Sequence, residues 1–201
     1  MLGLPRITEI RKQIPKRGIY TKFQMNTAAK EKIDADISKI MIVNEVSFGN
    51  LHINQGKKVN IFFVVLVSLK KKKFEEKSIS IISKLISQNM VFVLEYNNEM
   101  KVAIYYSKLL QTEWLKKENF QLEIKGFDFD EVWKNIIMQI GGIKVERGST
   151  LDEQIELNEK QLKLEKEIVT LEKLARREKQ PKKKFEIFRQ INEYKRKLEE
   201  L

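Results

Sequence analysis

Glu123-Ile124-Lys125 is an acidic-x-Lys triplet, the spacing in which a carboxylate holds a divalent metal while a lysine steadies the attacking water. That chemistry needs a further carboxylate on a neighbouring strand, and Glu95 and Glu113 are the acids that precede the triplet in segments of strand character. No Pro-Asp pair stands before either, and such a triplet arises readily by chance in a chain that is 33% charged. Asp128, Asp130 and Glu131 form a second acidic group, but they stand where a helix should begin, so capping and dipole compensation account for them. The single histidine, His52, has no nucleophile or carboxylate spaced as a triad. The absence of cysteine excludes disulfides, thiolate zinc sites and cysteine nucleophiles. No Gly-rich loop leads into Lys-Ser or Lys-Thr, so no P-loop is present and no cofactor is implied. Trp114, Trp133, Tyr105, Tyr106 and Phe120 would suit base stacking, yet core packing explains most of them and is the favoured reading.

The charge balance points elsewhere. With 39 Lys and Arg against 28 Asp and Glu, the 201 residues carry a formal charge of +11, which favours polyanionic partners, nucleic acid first. The longest apolar run, Ile61 to Val67, falls far short of the roughly 20 residues of a spanning helix. The N-terminus has no continuous apolar stretch of the secretory kind, so a cytoplasmic protein without membrane contact is expected.

Residues 1–24 read as a basic N-terminal arm, because Arg6, Arg11, Lys12, Lys16, Arg17 and Lys22 face one Glu9 while Pro5 and Pro15 block a long helix. The same stretch would serve as a strap, laying Leu2, Leu4, Ile7, Ile10 and Ile14 over a core. Residues 25–143 have the pattern of an α+β domain, a mostly antiparallel sheet with covering helices. A short helix is predicted at Thr27 to Ala35, then strands at Ile37 to Val46 and Val59 to Ser68, with a short one possible at Leu51 to Ile53. Lys70 to Lys73 close that sheet edge before a helix carrying Ile79, Ile82, Leu85 and Ile86. Met90 to Tyr96 and Lys101 to Ser107 flank Asn97-Asn98 as a β-hairpin, since asparagine tolerates the positive φ of a tight turn. A strand pair at Thr112 to Leu115 and Phe120 to Lys125 should follow, then a helix from Asp128 to Ile140, stopped by Gly141 and Gly142. Residues 144–150 read as a linker.

The remainder, 151–201, is predicted to be an antiparallel helical hairpin. Leu157, Gln161, Leu164, Ile168, Leu171 and Ala175 alternate spacings of four and three, the seam of a coiled coil. Pro181 interrupts the helix, and Phe185, Phe188, Ile191, Lys195 and Leu198 repeat the spacing, which places the two phenylalanines near Leu171 and Ala175. At the turn, Arg176, Arg177, Lys179, Lys182, Lys183 and Lys184 are offset only by Glu178. Such crowding costs stability and attracts anions, although a solvated turn that keeps the hairpin soluble would look the same.

Four stretches taken together resemble a bacterial family known only as domain of unknown function 4391. They are LPRITEIRKQIPKRGIY, ISKIMIVNEVSFGNLHI, TEWLKKENFQLEIKGFDFDEVW and REKQPKKKFEIFRQINEYKRKLEEL, in the same order over almost the whole chain, with Glu178 to Gln180 the most distinctive. The resemblance carries no catalytic residues. It implies a genomic setting beside helicase and DNA-methyltransferase genes, in loci resembling restriction or phage-defence systems. The leading expectation is therefore a non-catalytic accessory subunit that docks on a helicase, nuclease or methyltransferase partner. It would touch phosphate, most simply of DNA, through Arg11, Lys12, Lys16 and Arg17 and through the turn at Arg176 to Lys184. Two rivals stand beside it: a metal-dependent nuclease of the PD-(D/E)xK type using Glu95, Glu113, Glu123 and Lys125, and a purely structural assembly protein acting through its coiled coil.

Overall fold

Strand alternation and helical spacing decide most of the architecture in the computed structural model, which describes residues 2–145 and 148–200. Glu146 and Arg147, in the expected linker, lie outside the described residues. The chain divides into two units, Met1–Gly142 and Ile143–Leu201.

The first unit is built on a seven-stranded sheet. Strands β1 (Glu9–Gln13), β2 (Ile37–Ser47), β3 (Ile61–Leu69), β4 (Asn89–Tyr96), β5 (Glu99–Tyr106) and β6 (Lys108–Gln111) lie side by side in sequence order, and β7 (Leu115–Lys116) also pairs with β5. Neighbours are antiparallel except β3 and β4, which are parallel. The parallel pair requires a crossover, supplied by helix α3 (Glu76–Ile82). Central β4 is buried on both faces from Met90 to Leu94, which is why it reads as a continuous apolar run. On one face Ile19 of helix α1 (Lys16–Lys22), Ile33 of α2 (Thr27–Asp36) and Ile79 and Ile82 of α3 join Ile40, Val65, Val67 and Phe92 in one core. Helix α4 (Phe129–Gly141) buries Val132, Trp133, Ile136 and Ile137, and Trp133 packs on Phe62 of β3 at 5.5 Å between ring centres.

Several expectations change. Residues 9–13 form an edge strand and residues 16–22 a helix, so the basic N-terminal stretch is part of the sheet unit. Leu2 and Leu4 are buried, as a strap would have them, but Ile7 is 70% exposed. Helix α3 ends at Ile82, where the Ser83 hydroxyl turns back onto the Ser80 carbonyl, so Leu85 and Ile86 lie beyond it. Leu51 to Ile53 form no strand; the nearest pairing is a single bridge from Asn54 to Asp128. Residues 120–125 are extended but unpaired with any strand. Side-chain amides take the place of a ladder there: Gln139 accepts from the Glu123 N–H and donates to the Gln121 carbonyl, and Asn135 donates to the Lys125 carbonyl.

The acidic group at the start of α4 caps and clamps. Asp128 accepts the Glu131 N–H, and Glu131 accepts the Phe127 N–H. Asp130 gathers the N–H groups of Lys57, Lys58 and Val59 at 2.7 to 3.2 Å. Burial disfavours its charge, but those three donors outweigh it and hold the carboxyl below its ordinary range. Gly56 fits because a Cβ there would stand 2.5 Å from both Asp130 Oδ1 and the Val59 carbonyl.

The second unit is a hairpin of α5 (Leu151–Arg177) and α6 (Pro181–Glu199). Thr150 and Glu153 form a capping box at the start of α5, and Pro181 occupies the first turn of α6, where its missing N–H costs nothing. Ile168, Leu171 and Ala175 meet Ile187, Ile191, Tyr194 and Leu198. The predicted seam of α6 is thus corrected by one helical face: Phe185 and Phe188 are 71% and 47% exposed and do not pack into it. Phe185, Phe188, Ile191 and Lys195 would have put an ammonium in the seam, whereas Ile187, Ile191, Tyr194 and Leu198 keep the same spacing with apolar side chains throughout. Among the described residues no helix is long and apolar enough to cross a membrane.

Candidate nucleic-acid interface

The turn between α5 and α6 concentrates charge because local and helical effects add. Arg176 and Arg177 lie in the last turn of α5, where cations complement the helix dipole. Lys182, Lys183 and Lys184 lie in the first turn of α6, where they reinforce the positive end instead. That turn contains no acidic residue and no side-chain cap. Glu178, the lone carboxylate, accepts the Gln180 N–H at 2.8 Å. Arg176, Arg177, Lys179, Lys182, Lys183 and Lys184 are all exposed. The ion pairs found among the described residues include none of these six. The result is a knob of exposed cations around a helix N-terminus, an arrangement suited to oxyanions of any sequence context.

The N-terminal cations divide. Arg11 and Lys12 lie exposed on edge strand β1, where charge also guards against strand-to-strand aggregation, and Arg17 is exposed in α1. Lys12 borders a cleft of about 490 Å³ with Lys22, Ile42 and Phe63. Lys16 is committed elsewhere: its ammonium bonds Asp34 Oδ1 and the Ile37 carbonyl, both at 2.6 Å, and its side chain is only 19% exposed. Asp34 also accepts the Tyr20 hydroxyl, and these partners hold its carboxyl below the usual range.

The lysine run at 70–73 is also committed. Lys71 pairs with Asp36 at 2.7 Å, Lys72 with Glu99 at 2.6 Å, and the Lys70 ammonium donates to the Asp34 carbonyl at 2.6 Å. Asp36 is almost fully buried and also accepts the Glu75 N–H at 2.7 Å. Burial opposes its charge, yet Lys71 and that N–H keep its carboxyl below the ordinary value.

The carboxylates considered for metal chemistry are dispersed. Glu95, at the end of β4, pairs with Lys117 at 2.6 Å. Glu123 and Lys125 close on each other at 2.7 Å on the surface, outside any strand. Glu113 is exposed in a loop. Among the described residues no group of three or more His, Asp or Glu is placed to hold a metal ion. The aromatic platform does not assemble either, since Trp133 is in the core and Trp114 lies beneath the ammonium groups of Lys72 and Lys101, at 5.3 and 5.9 Å.

Comparison with known proteins gives a family. The family model described as domain of unknown function (DUF4391) matches residues 2–198, nearly the whole chain. The chain belongs to the DUF4391 family. No curated protein and no solved structure matches it. In this DUF4391 chain the residues that sequence reasoning passed over are Asp34 and Asp36, whose carboxylates take up Lys16 and Lys71. Their only local signal is their place at the end of α2, immediately before a strand.

Proposed function

We propose that this DUF4391 protein is a non-catalytic accessory subunit of a bacterial DNA-processing or phage-defence complex. It contacts nucleic-acid phosphates through the hairpin turn and works beside a helicase, nuclease or methyltransferase partner. One observation carries the reading: Arg176, Arg177, Lys179 and Lys182 to Lys184 crowd the turn without an ion-pair partner among the described residues, whereas two of the four lysines at 70–73 are paired with carboxylates and a third with a backbone carbonyl. Crowding of like charge disfavours the free protein, and a polyanion relieves it while releasing condensed counterions. Arg11, Lys12 and Arg17 offer a second exposed set on the sheet unit, and Lys16 leaves that set because Asp34 holds it. The genomic setting implied by the family resemblance suits such a subunit. Duplex DNA titrated with the full-length protein over a range of salt tests this. Binding that is steep in salt and greatly weakened in a K182E/K183E/K184E variant supports the reading, and equal affinity of variant and wild type removes the turn from it.

A further inference from the structure

The sheet ends in an open edge. Strand β1 is its outermost member, and among the described residues nothing pairs with the side of β1 that faces away from β2. The Ile14 N–H donates to the Ile40 carbonyl, so the main-chain groups of Gln13, one residue earlier in the same extended run, point to the open side. Arg11, Lys12 and Gln13 are exposed, and Ile7, just before the strand, is 70% exposed. Beside this edge lies the cleft of about 490 Å³, to which Ile10, Ile42 and Phe63 contribute apolar side chains from three neighbouring strands, with Lys12, Lys22 and Glu45 as its charged groups. The Lys22 ammonium donates to the Leu85 carbonyl, which leaves Lys12 as the uncommitted cation there. The ion pairs found among the described residues include neither Arg11 nor Lys12.

We infer that β1 receives an extended segment of a partner protein, in which acidic and apolar residues alternate, as a further strand of the sheet. Three observations select that occupant. The open main-chain edge is matched by a chain with its own row of N–H and C=O groups, which nucleic acid lacks. Arg11 and Lys12 repel a second basic strand, a second copy of β1 included, and attract carboxylates. The cleft takes apolar side chains, which a phosphate backbone does not offer. Charge that guards an edge against its own kind therefore also selects what joins it. Main-chain bonds to β1 supply the affinity, while Arg11, Lys12 and the cleft supply the choice of sequence. β1 spans five residues, so a short segment is enough to cover it. The contact belongs to the sheet unit alone and is independent of the phosphate contact at the hairpin turn.

The test is fluorescence anisotropy of a dye-labelled heptapeptide of alternating valine and glutamate, titrated with the full-length protein at moderate salt. Saturable binding in the micromolar range is expected. An R11E/K12E variant should bind at least about tenfold more weakly, with unchanged circular dichroism because both side chains are exposed. A peptide with lysine in place of glutamate should not bind. Main-chain pairing is read from two further peptides, each N-methylated at one alternate set of residues. Only every second N–H of a strand faces its neighbour, so one set should abolish binding and the other leave it nearly unchanged. The K182E/K183E/K184E protein should bind the peptide as the wild type does, which keeps this result distinct from that of the phosphate contact. A wild type that does not bind, an R11E/K12E variant that binds as tightly, a peptide lost with the turn variant, or two methylated peptides that behave alike would overturn the inference. Methylated peptides that both bind and are displaced by duplex DNA would assign Arg11 and Lys12 to a polyanion instead.

Discussion

Lys70 to Lys73 and Lys182 to Lys184 look alike in sequence and differ in almost every physical respect. The first run leaves the sheet at the end of β3, and Asp34, Asp36 and Glu99 converge on it from α2 and the start of β5. Lys73 alone of the four has no such partner among the described residues. The second run opens a helix whose first turn has no acid, and its ammonium groups have no ion-pair partner among the described residues. The lesson is that a lysine run acquires its meaning from residues far away in sequence. Two carboxylates and one backbone carbonyl turn one run into a structural lock, and the other run has no such partners among the described residues.

The largest expected effect is on the lock. Asp36→Ala removes a nearly buried carboxylate that satisfies both Lys71 and the Glu75 N–H, and should lower unfolding free energy by about 2–3 kcal/mol in urea denaturation. Charge reversal at Lys182 to Lys184 should cost no measurable stability in the same experiment, and a comparable loss there would erase the contrast. A somewhat smaller effect, about 1.5–2 kcal/mol, is expected for Asp130→Ala, which frees the N–H groups of Lys57, Lys58 and Val59 to water. There the backbone of a lysine pair is held rather than its ammonium groups.

Acid should expose the same asymmetry. Asp34, Asp36 and Asp130 all titrate below the ordinary 3.8 when folded, so the folded state binds fewer protons than the unfolded chain near that pH. Their contribution is fully present above about pH 4 and is lost as pH falls through the lowered values. Stability measured from pH 5 downward should therefore fall less steeply in Asp36→Asn than in wild type, while the turn variant should follow the wild-type slope. The smallest effect concerns Lys73→Ala, which should leave the unfolding midpoint unchanged, because that ammonium has no ion-pair partner among the described residues.

The fold was legible wherever a local pattern settles structure. The Asn97-Asn98 turn between two β-rich runs, the Asp128 cap, Gly142 at positive φ and the Pro181 break all act within a few residues, and each marks a boundary in the structure. Legibility failed where the partner was remote. Nothing near residues 120–125 announces that Gln139 and Asn135 will satisfy that backbone, so an extended segment looked like a strand. Lys16 looked available because Asp34 stands 18 residues away. The hairpin was predicted correctly and its α6 seam misplaced by one face, because Phe185 and Phe188 offered a competing helical spacing beside Ile187 and Ile191. The candidate interface was visible as a charge run, but its difference from the run at 70–73 belongs to tertiary structure.

The contrast between the two runs is tested most directly by the salt dependence of DNA binding. Wild-type, K182E/K183E/K184E and Lys73→Glu proteins would be titrated onto the same duplex, and the slope of log affinity against log salt compared. The account predicts that the Lys73→Glu slope stays close to wild type, while the turn variant binds more weakly and loses about 3 units of slope, near 0.9 for each phosphate no longer neutralised. A turn variant that keeps the wild-type slope and affinity would contradict it.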